Sequence, residues 1–223
     1  MVKCGFRGSD DAVVLPFNIP ENAFAAVALE NATALLRSLG HGPEADQAAA
    51  LAGAIRAGIA AYGVMLHPVA GTRVYAYEVD GFGSQYFMDD ANIPSLIGMP
   101  YYGFTTASDP LYVATRAALL SEATNPYYMC GGAGCGIGGP HNGWPWVWPM
   151  AIAARAWTSD SDAEILAQLA LLLNSSACTG FVHESFNKDD VTKYTRSWFA
   201  WMNSLFGDLI MKVIAERPHL IFK

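Results

Sequence analysis

Thr179-Gly180-Phe181-Val182-His183-Glu184-Ser185-Phe186 interrupts two apolar patterns and decides how the chain is read. Upstream, Ser161-Asp162-Ala163-Glu164 opens an apolar run that ends at Leu173; downstream, an aromatic-rich run extends from Trp198 to Ile214. If both flanks are helices, a His, a carboxylate and a hydroxyl fall together in one short connection. Chemistry concentrates in such connections, because the rigid elements on either side hold them. Glu184 also has a plain reading as a solvated loop acid, since carboxylates are mostly exposed.

Working outward, helical spacing recurs along most of the chain. Phe24, Val27, Ala28, Leu35 and Leu39 suit a helix over 22–39 that Gly40 stops. Pro43 opens an Ala-rich helix to about residue 65, with Ala48, Leu51, Ala52, Ile55, Ile59 and Tyr62 on one face. Pro94 opens a brief helix over 94–99, and Asp109-Pro110 caps another through Leu120. Three more helices are expected over 148–157, 162–173 and 195–214. Only Val74-Tyr75-Ala76-Tyr77-Glu78-Val79, with Asp80-Gly81-Phe82-Gly83 turning it toward Gln85-Tyr86-Phe87-Met88, reads as a hairpin, near 74–88. The expected class is therefore mainly all-α, a single α/α domain over 1–223 without βαβ units.

Composition narrows the partners. The chain has 223 residues, is 52% hydrophobic and only 15% charged, and carries a formal net charge of -7 with 13 Lys and Arg. Nucleic-acid binding draws its affinity from clustered cations, so a neutral substrate fits better. No run of about 18 apolar residues reads as a membrane span, and the start lacks the apolar core of a signal peptide. Localisation stays undecided, a secretory or extracellular route depending on an upstream signal. The four cysteines, at 4, 130, 135 and 178, form no zinc pattern. Two free thiols at Cys130 and Cys135 are the default, although the glycines between them permit a bridge in an oxidising lumen.

Acid clusters at element junctions carry the chemistry. Asp10-Asp11, Asp80, Asp89-Asp90 and Glu184 offer the two facing carboxyl groups that glycosidic hydrolysis needs, one to protonate the leaving oxygen and one to act ionised. Each has a bland counterpart: Asp89 or Asp90 as a helix cap, Asp80 as a turn former. The long glycine-rich stretch 125–149 surrounds His141, Trp144, Trp146 and Trp148. Loops that long are commonly functional, and aromatic rings stack on the C–H faces of sugars while Asp, Asn and His bond their hydroxyls. No metal-ligand spacing, serine elbow or phosphate loop accompanies them.

Taken in order, Phe6-Arg7-Gly8-Ser9-Asp10-Asp11-Ala12, Pro16-Phe17-Asn18-Ile19-Pro20-Glu21-Asn22, Tyr77-Glu78-Val79-Asp80-Gly81-Phe82-Gly83, Met88-Asp89-Asp90-Ala91-Asn92-Ile93-Pro94, Gly136-Ile137-Gly138-Gly139-Pro140-His141, Trp148-Pro149-Met150, Thr179 to Ser185, and Trp198 to Gly207 resemble glycoside hydrolase family 125, and within it the fungal branch. The resemblance implies an exo-α-1,6-mannosidase on an (α/α)6 toroid that inverts configuration, uses no metal or other cofactor, and acts on a mannose-containing oligosaccharide or N-glycan. It implies Asp11 as general acid, with Asp10 as the alternative, and Glu184 as general base. Candidate substrate contacts are Arg7, Ser9, Asp10, Asp80, Asp89, Asp90, Asn92, His141, Trp148, His183 and Arg196.

Two departures stand out. Gly8 occupies the place where the family pattern has Pro, and family members carry a long helical stretch before the motif that begins here at Phe6. About half of the helices of a closed toroid are present, so the expectation is an incomplete barrel lacking its N-terminal half. The alternative function that follows is an inactive or sugar-binding fragment of such a domain.

Overall fold

The computed structural model describes residues 1–222. They divide into two compact units, one of residues 1–88 and 94–118, the other of residues 89–93 and 119 onward.

In the first unit, strand β1 (Phe17–Asn18) leads directly into α1 (Ile19–Ser38). Asn18 caps the helix by accepting a hydrogen bond from the Glu21 amide at 3.0 Å, and Pro20 occupies the first turn, where no amide is needed. Gly40, at φ 82°, turns the chain into α2 (Gly42–Tyr62), with Pro43 again at its start. The paired helices bury Ala23, Ala26, Ala45, Ala48, Ala52, Ile55 and Ile59. Alanines keep the two axes close, whereas Phe24, Leu35, Leu39 and Leu51, expected on buried stripes, are exposed.

The expected hairpin near 74–88 splits in two. β3 (Arg73–Tyr75) pairs antiparallel with β2 (Val64–Leu66), which takes the end of the chain expected to be helical. β4 (Glu78–Val79) pairs with both β5 (Gln85–Tyr86) and β1, giving the order β1-β4-β5. The helix expected over 94–99 is a series of turns, because Gly98 and Pro100 stop propagation after one turn and the Ser95 hydroxyl takes the Gly98 amide at 3.2 Å. Asp109 caps α3 (Pro110–Leu119) through the amides of Leu111 and Tyr112.

In the second unit, residues 125–149 are not the patternless loop the sequence suggests. β6 (Tyr128–Gly131) and β7 (Gly134–Ile137) form a hairpin, and β8 (Trp146–Val147) follows. Cys130 and Cys135 face each other across that hairpin, with Cα atoms 4.1 Å apart, and are joined in a disulfide rather than left as thiols. Replacing both with Ser is expected to lower stability by about 2 kcal/mol, the loop-closure term for so short a ring. Urea denaturation with and without reductant reads this loss directly, and identical midpoints would show that the bridge constrains nothing.

α4 (Pro149–Trp157) is buried almost throughout between α5 (Asp162–Asn174) and α6 (Ala200–Glu216). Between α5 and α6, where a plain loop was expected, β9 (Ser185–Asn187) and β10 (Asp190–Thr195) pair antiparallel, and β9 also pairs with β8. α6 accordingly starts five residues after the expected position. The chain is thus mixed helix and strand rather than nearly all helical, with six α-helices and ten short strands among the described residues. No described helix is long and apolar enough to cross a membrane.

Candidate active site

The acid loop is built by its backbone first. Phe6 bridges to Ala12, the Arg7 amide donates to the Asp11 carbonyl at 2.8 Å, and the Asp10 amide donates to the Arg7 carbonyl at 3.0 Å. Asp10 closes this turn in the left-handed region, φ 68°, which Asp tolerates better than most residues. Asp10 is exposed, Asp11 half-buried and Ser9 buried.

Glu78 on β4 holds the loop from beneath. Fully buried, its carboxylate accepts from Arg7 Nε at 2.7 Å, from the Val14 amide at 2.7 Å and from the Leu15 amide at 3.0 Å. The Arg7 guanidinium, buried as well, also lies 5.4 Å from the Tyr77 ring centroid. Arg7, a candidate substrate contact by sequence, is therefore placed in the interior against Glu78. Asp80 sits two residues along, where it accepts from the amides of Phe82 and Ser84 at 2.7 and 3.0 Å and shapes its own turn. The Ser84 hydroxyl and then the Phe82 amide hold its carboxyl below the usual range.

In the second unit, Asp89, Asp90 and Asn92 are buried together. Asp90 Oδ1 accepts from the Asn92 amide at 3.2 Å and from Asn92 Nδ2 at 3.0 Å, and the Ala91 amide reaches the Gly138 carbonyl at 3.0 Å. Gly139 is required here, because a Cβ on it would lie 2.9 Å from Asp90 Oδ1. His141 is exposed, with its ring edge-on to Trp148 at 6.0 Å. Trp148 is buried, and its indole N–H meets no acceptor among the described residues.

Glu184 stands at the entry to β9 and is buried, not the exposed loop acid of the plain reading. Its amide donates to the Thr195 carbonyl at 3.3 Å, and Oε1 lies 2.8 Å from Nε of Arg196. Arg196 is the residue after β10, held at φ 44°, and its guanidinium is largely in solvent over Phe199. On one side of Glu184, Ser185 Oγ and Thr195 Oγ1 are 2.7 Å apart, and Asn142 Nδ2 donates to Ser185 Oγ at 2.8 Å. On the other, Asn203 of α6 brackets the Val182 peptide, accepting from its amide at 3.1 Å and donating to its carbonyl at 2.7 Å.

His183 completes this frame. It is fully buried, stacks on Tyr194 at 3.7 Å, and sets its two ring nitrogens against the carbonyls of Ser197 and Ser176 at 2.9 and 3.1 Å. Each nitrogen lies within hydrogen-bond distance of a backbone carbonyl, and the one that carries the proton in the neutral ring donates to its carbonyl, which makes His183 a clamp on the segment carrying Glu184. Glu78, Asn142, Thr195 and Asn203 do comparable work and escaped sequence reasoning. Only Glu78 left a signal there, a carboxylate inside an otherwise apolar alternating strand.

Within the second unit, a buried carboxylate at a strand entry occurs together with buried Trp148, Asp89, Asp90 and Asn92, residue types that sugar-processing sites use. The sequence profile of the family described as metal-independent α-mannosidases, GH125, matches residues 1–211. The chain belongs to that family. It is 47% identical to the meiotically up-regulated gene 157 protein of Schizosaccharomyces pombe, over all of this chain and 44% of that protein. Among solved structures it resembles a metal-independent α-mannosidase of Streptococcus pneumoniae, held in a non-productive complex with α-1,6-mannobiose. That match has a TM-score of 0.93 and 35% identity, over 97% of this chain and 51% of the other. A bacterial glucoamylase complexed with acarbose shares the fold at 12% identity, with a TM-score of 0.67 over 89% of this chain and 34% of the other. The chain spans about half the length of the family relatives it matches.

Proposed function

We propose that this chain removes terminal α-1,6-linked mannose from an oligosaccharide or N-glycan with inversion, Asp11 acting as general acid and Glu184 as general base. The observation that carries the reading is the placement of Glu184: buried, fixed at a strand entry, and framed by groups that hydrogen-bond its neighbours rather than neutralise both its oxygens. Family membership and the mannobiose complex of the pneumococcal relative support the substrate class. In an inverting cycle the acid protonates the glycosidic oxygen as the C1–O bond breaks. The base removes a proton from a water that attacks C1 from the opposite face. The helices belong, in this reading, to an (α/α)6 toroid, as the likeness to a glucoamylase supports. The disulfide supports a secretory or extracellular location.

The test is mannose release from α-1,6-mannobiose followed by NMR: β-mannose as first product establishes inversion, and α-mannose overturns it. Asp11→Asn is expected to slow mannobiose hydrolysis by about 10²–10⁴-fold while sparing a mannosyl fluoride, whose leaving group needs no proton. If Asp10→Asn shows that pattern instead, the acid is Asp10. A sugar-binding chain without turnover is the second reading, raised by the 44% share of the fission-yeast relative that the chain covers. Binding of mannobiose with no release would establish it.

A further inference from the structure

The asparagines of this chain fall into two groups. Seven of the nine bond the fold with their side chains, among them Asn18 at the cap of α1, Asn92 on Asp90, Asn142 on Ser185 and Asn203 on the Val182 peptide. The other two, Asn31 and Asn174, are exposed, and neither side chain meets a hydrogen-bonding partner among the described residues. Neither shapes its helix. Asn31 lies in the middle of α1, where Asn is a poor helix former. Asn174 is the last residue of α5, but Ser175 is the C-cap, and the left-handed residues that turn the chain beyond it are Ala177 and Cys178.

These two, and none of the other seven, begin a triplet of Asn, any residue but Pro, then Ser or Thr: Asn31-Ala32-Thr33 and Asn174-Ser175-Ser176. That triplet is the acceptor pattern for N-linked glycosylation, a bulky modification that needs an amide free of the fold. The pattern and the unpartnered exposure are separate properties, and they select the same two positions. The bridge between Cys130 and Cys135 adds a third observation, since disulfides persist in the oxidising lumen where this glycosylation takes place. We propose that Asn31 and Asn174 carry N-linked oligosaccharides. This rests on the secretory location proposed above and is independent of the catalytic reading. In the transfer, Asn Nδ2 bonds to C1 of the sugar as the bond from C1 to a lipid-linked pyrophosphate breaks; Nδ2 gives up one proton and the lipid pyrophosphate leaves. In the folded chain the triplet hydroxyls are occupied, Thr33 Oγ1 donating to the Leu29 carbonyl at 2.8 Å and Ser176 Oγ to the Leu173 carbonyl at 2.7 Å. Both triplets are therefore read before α1 and α5 close, and the fold then leaves both amides in solvent, where a glycan displaces no packed group.

The experiment uses the chain purified from the cells that make it, unaltered and as Asn31→Gln, Asn174→Gln and Ser176→Ala. Peptide-N-glycosidase in heavy-oxygen water converts each glycosylated Asn to an Asp bearing heavy oxygen, read by mass spectrometry in the tryptic peptides 8–37 and 156–188. Heavy Asp at both positions is expected, with a step of faster gel migration in each Asn→Gln variant. Ser176→Ala leaves Asn174 in place and is expected to lose its label as completely as Asn174→Gln; a retained label there overturns recognition of the triplet. An unlabelled position overturns that site, and two unlabelled positions overturn the proposal. Cys130 and Cys135 are scored in the same digest by alkylation. A joined pair beside two unlabelled asparagines removes the glycans and leaves the secretory location standing, whereas free thiols beside them remove the location as well.

Discussion

Glu184→Gln is expected to lower kcat for mannose release from α-1,6-mannobiose by about 10³-fold, the scale of a lost general base, with little change in stability. Gln keeps the shape of the side chain, and its amide oxygen can still accept from Arg196 Nε, now 2.8 Å from Glu184 Oε1. The Arg196 side chain is 62% exposed, so the cation left without its carboxylate is hydrated rather than stranded, and the pair contributes little to folding. What Gln cannot do is remove a proton from water. Glu184→Ala opens space as well, and azide, which attacks without needing a base, should restore turnover in that variant and give β-mannosyl azide. Turnover by Glu184→Gln within tenfold of wild type would remove Glu184 from the mechanism. A melting temperature many degrees lower would instead point to a structural carboxylate.

Glu78→Ala should show the reverse pattern, a loss of about 3–5 kcal/mol in stability, as expected when one partner of a buried ion pair is deleted. Glu78 is 0% and Arg7 6% exposed, so Arg7 would remain as a charge in the interior with no solvent to receive it. The amides of Val14 and Leu15 would lose their acceptor in the same step. Because these three donors fix both ends of the segment that carries Asp10 and Asp11, activity should fall with the fold. Removing both charges, as Arg7→Met with Glu78→Leu, should cost less stability than Glu78→Ala alone, since apolar residues of similar size can replace a buried pair. Urea denaturation of the three chains decides the matter: a loss below about 1 kcal/mol in Glu78→Ala would mean that water reaches Arg7 and the pair is not a buried anchor.

The parts of this chain that could be read in advance were those whose signals are local. Gly40 after α1, Asp109-Pro110 before α3 and Ser161 before α5 are capping residues whose hydrogen bonds reach only two or three positions along the chain, whereas α1 starts at Ile19, three residues before the expected position. The strands were not readable in this way. β8 and β9 are two and three residues long, too short to display alternation, and each exists only because a partner lies beside it. β6 and β7 lie among glycines that look like loop, and Gly131 in fact sits there because a Cβ would meet the Lys188 carbonyl at 2.5 Å. The exposure of Phe24, Leu35 and Leu39 was hidden for a related reason: periodicity identifies an apolar stripe, but the alanine face packs closer and is the one α2 covers.

The same division runs through the site. Sequence alone determined most of the helices, the resemblance to glycoside hydrolase family 125, and that Glu184 stands in the segment between α5 and α6. Only the tertiary structure decided that Glu184 is buried, that both ring nitrogens of His183 face backbone carbonyls, and that Arg7 serves Glu78 from 71 positions away. It also decided that two cysteines at a hairpin tip close a covalent ring beside Lys188. The reason is physical: caps, turns and periodic faces are set by neighbours within about one helical turn, whereas desolvation and ion pairing depend on which distant groups the fold brings within a few ångströms.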